Sequence, residues 1–217
     1  MTKKSGRIAR TVGDISVGAG RGPGQLQWYE FASRLFQGKS ILDAGCGLGK
    51  GLTILSQTNP IVVGQDLDPR LARDNVVIGS LDTIESNSFD FVTSMDVIEH
   101  VEDDRNFVAN LCRIAREGVF VTTPNWTITR CVWPYHLREY TPRELQALFE
   151  PYGKVQLFKG DSAGANVYPV RFPNLYHIAN DMRSFPLTSL FTRAVNKVLP
   201  DSQRILGHNA LFVSFAL

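Results

Sequence analysis

From residue 40 onward the chain alternates between two hydrophobic rhythms. Short continuous apolar runs read as strands buried on both faces: SILDAGC at 40–46, PIVVGQD at 60–66, the weaker DNVVIG at 74–79, FDFVTSM at 89–95 and GVFVTT at 118–123. Helical spacing falls between them. GLTILS at 51–56 is one such stretch, and 103–115 is another, with Asp103 as N-cap and Phe107, Val108, Leu111, Ile114 and Ala115 on one face. The stretch 141–150 carries the fullest helix signature: Thr141 at the N-cap, Pro142 at N1, Glu144 completing a capping box and Gly153 just beyond the end. KVQLFKG at 154–160 and ALFVSFA at 210–216 predict a sixth and a seventh strand. Strands alternating with helices imply an α/β fold, a parallel sheet with helices on both faces.

About fifty residues, 161–209, separate the last two strands, too many for a bare connection. They contain an amphipathic helix with Leu187, Leu190, Phe191, Ala194, Val195 and Val198 along one side, Pro186 near its start and Pro200 past its end. That stripe is read as core packing. Arg193 and Lys197 flank it, which leaves a membrane-surface or dimer role open. The stretch 168–176, with Tyr168, Phe172 and Tyr176, is the better candidate for a lid over a pocket. At the other end, residues 1–25 are rich in glycine and charge and read as a mobile arm, and 26–36 as a leading helix. The organisation is thus an arm and helix over 1–39 and one domain over 40–217 with an insert at 161–209.

Composition narrows the function classes. With 217 residues, 43% hydrophobic and 20% charged, the chain suits a single globular domain. A net charge of +2 with dispersed basic residues gives no footprint for nucleic acid. No apolar run approaches the roughly 20 residues of a membrane span, and no apolar segment follows the basic start, so neither a span nor a secretory signal is expected. Cys46, Cys112 and Cys131 are scattered, outside any metal-ligand spacing. The expectation is a cytoplasmic protein with no metal and no disulfide framework.

The chemistry begins where the first strand runs into Gly45-Cys46-Gly47-Leu48-Gly49. Alternate glycines allow a tight turn and let a ligand approach where a Cβ would collide. Twenty-one positions after Gly45, Asp66 ends the second strand, where a carboxylate can accept from both hydroxyls of a ribose. Together they make a nucleoside site. The dinucleotide fingerprint would put a third glycine at position 50, which is Lys50; the pattern is G-x-G-x-G preceded by Asp43.

ILDAGCGLG resembles the first motif of the class I S-adenosylmethionine-dependent methyltransferases. VVGQDLDP is similar to their second motif, NSFDFVTSMDVIEHVED to the segment around their fourth strand and REGVFVTTPN to their fifth. HLREYTPRELQALFEPYG looks like the branch that methylates small molecules, quinones and sugars, and the terminal ALFVSFA like the antiparallel strand that marks the fold. The resemblance implies a doubly wound, Rossmann-like, seven-stranded, mostly parallel sheet with an antiparallel last strand. It implies S-adenosylmethionine as cofactor and S-adenosylhomocysteine as product. Asp43 would support the loop and the amino end of the cofactor. Gly45, Cys46, Gly47 and Gly49 would line its methionine part, Cys46 itself being a small filler. Asp66 would hold the ribose, Leu67 would pack on the adenine, Ser80 and Leu81 would border it, and Met95 and Asp96 would lie beside the sulfonium. Two departures stand out: the helix after Asp66 is shortened, and the acid often found after the third strand is Ser80 here, unless Asp82 replaces it.

The resemblance also implies an acceptor pocket over the carboxyl-end rim, where His100, His136 and Tyr140 are the candidate bases for a hydroxyl acceptor. His100 either takes that role or braces the loop after the fourth strand; His136 either takes it or orients Glu139. His177 and His208 read as isolated surface or packing residues, and Arg138 either pairs with an anionic acceptor or is a solubilising surface charge. No Asn-Pro-Pro-Tyr box of nucleic-acid amino methylation follows the fourth strand, where the chain reads Ser-Met-Asp-Val. The expected reaction is methyl transfer to a hydroxyl of a small-molecule, sugar or lipid-linked glycan acceptor, with peripheral membrane contact and oligomeric state open. The alternatives are a non-catalytic module that binds the cofactor and, more remotely, a nicotinamide-dependent oxidoreductase.

Overall fold

The computed structural model describes residues 25–162 and 164–215. The arm read over residues 1–25 lies outside the described residues apart from Gln25.

The sheet is built as the rhythms predict. β1 (Ser40–Ala44), β2 (Ile61–Asp66), β3 (Val76–Ile78), β4 (Phe89–Met95) and β5 (Ala115–Pro124) pair in parallel. β8 (His208–Ser214) runs antiparallel between β5 and β6 (Lys154–Gly160). The seven expected strands are joined by an eighth, β7 (Val167–Pro169), on the outer edge of β6. It overlaps the start of the stretch read as a lid: three extended residues there pair along the otherwise open edge of β6. The order is β3-β2-β1-β4-β5-β8-β6-β7. Chain direction across the sheet therefore reverses between β1 and β4, and a crevice opens above their carboxyl ends.

Both faces are covered. α1 (Leu26–Leu35) and α2 (Lys50–Leu55) pack on one, around Trp28, Tyr29, Phe36, Phe91 and Phe120. Phe36 stacks on Phe91 with ring centres 4.2 Å apart. On the other face, α3 (Asp104–Ile114) and α5 (Pro142–Phe149) bury Val108, Leu111, Leu145 and Phe149 against β4, β5 and β8. Asp103 caps α3 through the Asn106 amide, and the Thr141–Glu144 capping box forms in full. Between β2 and β3 there is no α-helix, only the single turn Pro69–Leu71, as the short spacing requires.

Beyond β7, the insert departs from expectation in two respects: a helix precedes the expected one, and the expected one is turned the other way. After β7 come α6 (Pro173–Ser184) and α7 (Pro186–Val198). The apolar stripe of α7, read as core packing, faces outward, and no residue of α7 is buried. Its hydroxyl and amide residues face the protein instead. Thr188 donates to the Met182 carbonyl, and Asn196 bonds both the Ile205 carbonyl and its amide. A short helix, α4 (Trp126–Thr129), joins the β5 tip to this region.

Candidate active site

The parallel strands all end at one rim, and the site is assembled there. Gly45, Gly47 and Gly49 have φ of +73°, +54° and +68°, a backbone that side-chain-bearing residues rarely adopt. A Cβ on Gly45 would come within 2.6 Å of Val97, so the loop lies hard against the segment after β4. A Cβ on Gly47 would meet only open space. The loop is fixed from below and from the side. Asp43 is fully buried and accepts from Tyr29 Oη at 3.0 Å and Thr93 Oγ1 at 2.9 Å. Tyr29 reaches it across Gly51, whose Cβ would sit 2.3 Å from the phenol ring. Gln65, buried in β2, donates to the Gly79 carbonyl and so ties the second strand to the third strand's end. Arg73 lies along the outside of the loop and donates to the Leu48 carbonyl at 2.8 Å. Tyr29, Gln65 and Arg73 were not found from the sequence, because nothing local links them to the loop.

Asp66 stands at the tip of β2. One carboxylate oxygen accepts from the Gly47 amide at 2.9 Å and the other from the Asp68 amide at 3.1 Å. A carboxylate offers about four acceptor positions, so each oxygen retains capacity for a hydroxyl. Leu67, beside it, is 64% exposed, an apolar platform at the rim. Cys46 is buried below the loop against Gly64 and Leu52, and burial, reinforced by Asp43 and Asp66, pushes its thiol up to about 12. It is an inert filler there. Ser80 caps the turn after β3 and bonds Asp82, which also accepts from Asn110. The Leu81 side chain is buried in the core cluster with Val108 and Leu111. Met95 is buried likewise, under α1.

Asp96, at the β4 tip, has a positive φ of +52°, a strained backbone typical of functional turns. Its carboxylate accepts from Thr122 Oγ1 at 2.8 Å and Gln25 Nε2 at 3.0 Å, and His208 Nε2 lies 3.5 Å away. His208 is thus no isolated packing residue. Burial, the largest single effect, disfavours its charge, but Asp96, Glu99 and Glu139 together raise its pKa. The cause is register: β8 starts at His208, earlier than read, and pairs it with Pro124 at the rim.

A titratable cluster follows Asp96. Glu99 is fully buried, and burial, with Asp96 nearby, lifts its carboxyl to about 7. Glu99 Oε2 accepts from Thr123, while Oε1 has no hydrogen-bond partner and lies 4.0 Å from His136 Nε2. On its other side, His136 Nδ1 bonds Glu139 Oε1 at 2.6 Å. Burial opposes the charge on Glu139, but hydrogen bonds from His136, Thr129 and the Cys131 amide keep its carboxyl below the ordinary value. The His100 ring meets His136 edge-on at 4.9 Å, and His100 Nδ1 contacts the Tyr135 carbonyl oxygen at 3.1 Å. Tyr140 does not join them. It is buried in the core, donates to Asp104 at 3.0 Å and is stacked under Arg138, so its hydroxyl braces the start of α3. Arg138 itself is paired with Asp104 and Glu144. Glu99, His100 and His136 each bring one ligand-type atom within 4.8 Å of the others, a donor set that a divalent cation of the zinc class could also use.

A strand-crossover crevice with a left-handed glycine loop and a tip carboxylate defines a nucleoside-binding α/β protein. The family model described as a methyltransferase domain matches residues 42–122, which run from β1 through β5. Through that segment the chain is similar to the S-adenosylmethionine-dependent methyltransferases. It is 33% identical over 143 residues to a protein of Mycolicibacterium smegmatis described as a probable S-adenosylmethionine-dependent methyltransferase, covering 58% of this chain and 55% of that protein. It is 30% identical over 144 residues to a ubiquinone biosynthesis O-methyltransferase of Mesorhizobium japonicum, covering 57% and 56%. The chain spans about half the length of the curated relatives it matches. Among solved structures, the plantazolicin methyltransferase BpumL, in complex with a triazolic desmethylPZN analog and SAH, superposes with a TM-score of 0.58 at 15% identity, over 91% of this chain and 86% of that one. At that identity the likeness is one of fold.

The cofactor of those methyltransferases is S-adenosylmethionine. The rim offers open space above Gly47, spare acceptor capacity on Asp66 and an exposed apolar side chain at Leu67, features with which its tail, ribose and adenine are compatible.

Proposed function

We propose that the protein transfers the methyl group of S-adenosylmethionine to a hydroxyl oxygen of a small-molecule acceptor, free, sugar-borne or carried on a lipid-linked glycan. The observation that carries this reading is the line Glu99–His136–Glu139 beyond the β4 tip. The bound cofactor supplies an electrophilic methyl on a sulfonium, so the chain's work is to align the acceptor and remove its proton. Asp66 holds the ribose hydroxyls, Leu67 covers the adenine and Gly47 leaves room for the methionine tail. Asp96, pinned by Thr122 and Gln25, would face the cofactor's reactive end.

Glu139 fixes the His136 ring by holding Nδ1, which leaves Nε2 to accept the hydroxyl proton. Glu99, with a carboxyl near neutrality, faces that nitrogen and stabilises it once protonated. His100 braces the ring edge-on and is the second candidate for the proton. The names of relatives described as ubiquinone biosynthesis O-methyltransferases support an oxygen acceptor.

Incubating the protein with methyl-labelled cofactor and crude metabolite and lipid fractions tests the proposal. Wild type labels a hydroxyl-bearing product. His136→Ala loses about 100-fold or more in turnover while S-adenosylhomocysteine affinity holds. Absence of label in every fraction, or equal turnover in the variant, removes the reading. The same assay in excess chelator keeps its rate if the cluster handles only protons; a collapse restored by zinc assigns the cluster to a metal instead.

A further inference from the structure

Helix α7 is built inside out for a helix at the surface of a globular domain. Such helices turn their apolar stripe to the core and their polar face to water. Here Thr188, Thr192 and Asn196 turn inward, while Leu187 and Val198 are 97% and 83% exposed and Phe191 is 65% exposed. Leu190 between them is also exposed, as is Phe185 at the turn from α6. Exposed apolar patches of this kind mark contact surfaces.

The charge around the stripe selects the partner. α7 contains no acidic residue, and Arg193 and Lys197 line one flank of the stripe, one turn apart. Arg193 also stands close enough to Arg130 and Arg183 to disfavour their charges, after burial as the larger cause. Among the described residues, none of these three guanidinium groups is ion-paired. Arg130 and Arg183 spend hydrogen bonds on carbonyls: Arg130 on that of Arg183 at 2.6 Å, Arg183 on that of Thr127 at 3.1 Å. A second copy of the chain docked through this face would set like charges against like. A helix of 13 residues spans about 20 Å, too short to cross a hydrocarbon core of about 30 Å. An apolar stripe flanked by cations suits a helix lying in the plane of an anionic bilayer.

We propose that α7 is an interfacial anchor for anionic phospholipid membranes, with Leu187, Leu190, Phe191 and Val198 among the acyl chains and the Arg130–Arg183–Arg193 group and Lys197 on lipid phosphates. The anchor is tied to the catalytic rim. Asn125, directly after β5, bonds Asn180 of α6 at 3.1 Å, and Thr129 of α4 donates to Glu139. The anchor stands whether or not methyl transfer occurs, because its test reads binding alone.

Co-sedimentation of the full chain with vesicles of phosphatidylcholine alone, and of phosphatidylcholine with roughly one third phosphatidylglycerol, measures it. The chain binds the anionic vesicles at least about tenfold more tightly than the neutral ones, and added salt weakens that binding. Leu187→Ser combined with Phe191→Ser, at exposed positions that leave the melting temperature unchanged, lowers vesicle affinity about tenfold or more. Arg193→Glu with Lys197→Glu removes the anionic preference. Failure to bind anionic vesicles overturns the anchor, as does equal binding by the Leu187→Ser, Phe191→Ser variant. So does a concentration-dependent dimer that this variant abolishes without any vesicle binding.

Discussion

Glu99 is the residue whose chemistry reaches furthest beyond its type. Burial and the neighbouring Asp96 raise its carboxyl from 4.5 to about 7, so the folded state holds that proton over a pH range where the unfolded chain releases it. Stability from this group is therefore greatest below pH 4.5 and declines as pH rises to about 7. Glu99→Gln, which mimics the protonated acid, leaves stability almost unchanged in acid and raises it by as much as about 3 kcal/mol near pH 8. Melting curves of both proteins at the two pH values check this, and a variant whose gain over wild type is no larger near pH 8 than in acid contradicts it. Gly51 gives a second residue-scale prediction. Gly51→Ala drives a methyl into the Tyr29 ring that holds Asp43, and denaturant titration should show a loss of about 1–3 kcal/mol. Asp43, the loop glycines and Asp66 were legible in the sequence because their spacing is local. Gln65, Tyr29 and His208 were not, because they reach the site only through strand register and helix packing, which no short window encodes.

Among the elements, α5 and α7 show opposite limits of what a pattern reveals. The capping box of α5 consists of groups within one turn, so its sequence signature and its hydrogen bonds coincide. Thr141→Ala should cost about 1 kcal/mol, read from the shift in denaturation midpoint. The α7 stripe has equally clear periodicity, yet its outward orientation was hidden. Periodicity says that a helix has two faces, not which one meets the protein. β7 was missed because three extended residues beside Pro169 carry too little alternation to separate a strand from a loop. The first residues of β8 were missed for a related reason. His208 and Asn209 are polar, and they pair as strand only because β5 and β6 flank them.

At the scale of the molecule, the order of strands does the positioning. The chain turns back between β1 and β4, so the glycine loop, Asp66, Asp96 and the Glu99–His136 pair share one rim although they are spread over more than ninety residues. The antiparallel entry of β8 adds His208 to that rim. The parallel core and its antiparallel last strand were legible, because buried strands leave continuous apolar runs. The proposed acceptor side was less so, since the segment around His136 is irregular backbone that leaves no period. The claim on which the rest depends is that the tips of β1 and β2 grip an adenosyl group through Asp66. Calorimetric titration of S-adenosylhomocysteine into wild type and Asp66→Ala tests it most directly. The predicted result is saturable one-to-one binding by wild type, weakened about 30-fold or more in the variant, with no binding of NAD to either. Equal affinity in the two proteins, or no heat from wild type, would contradict the assignment.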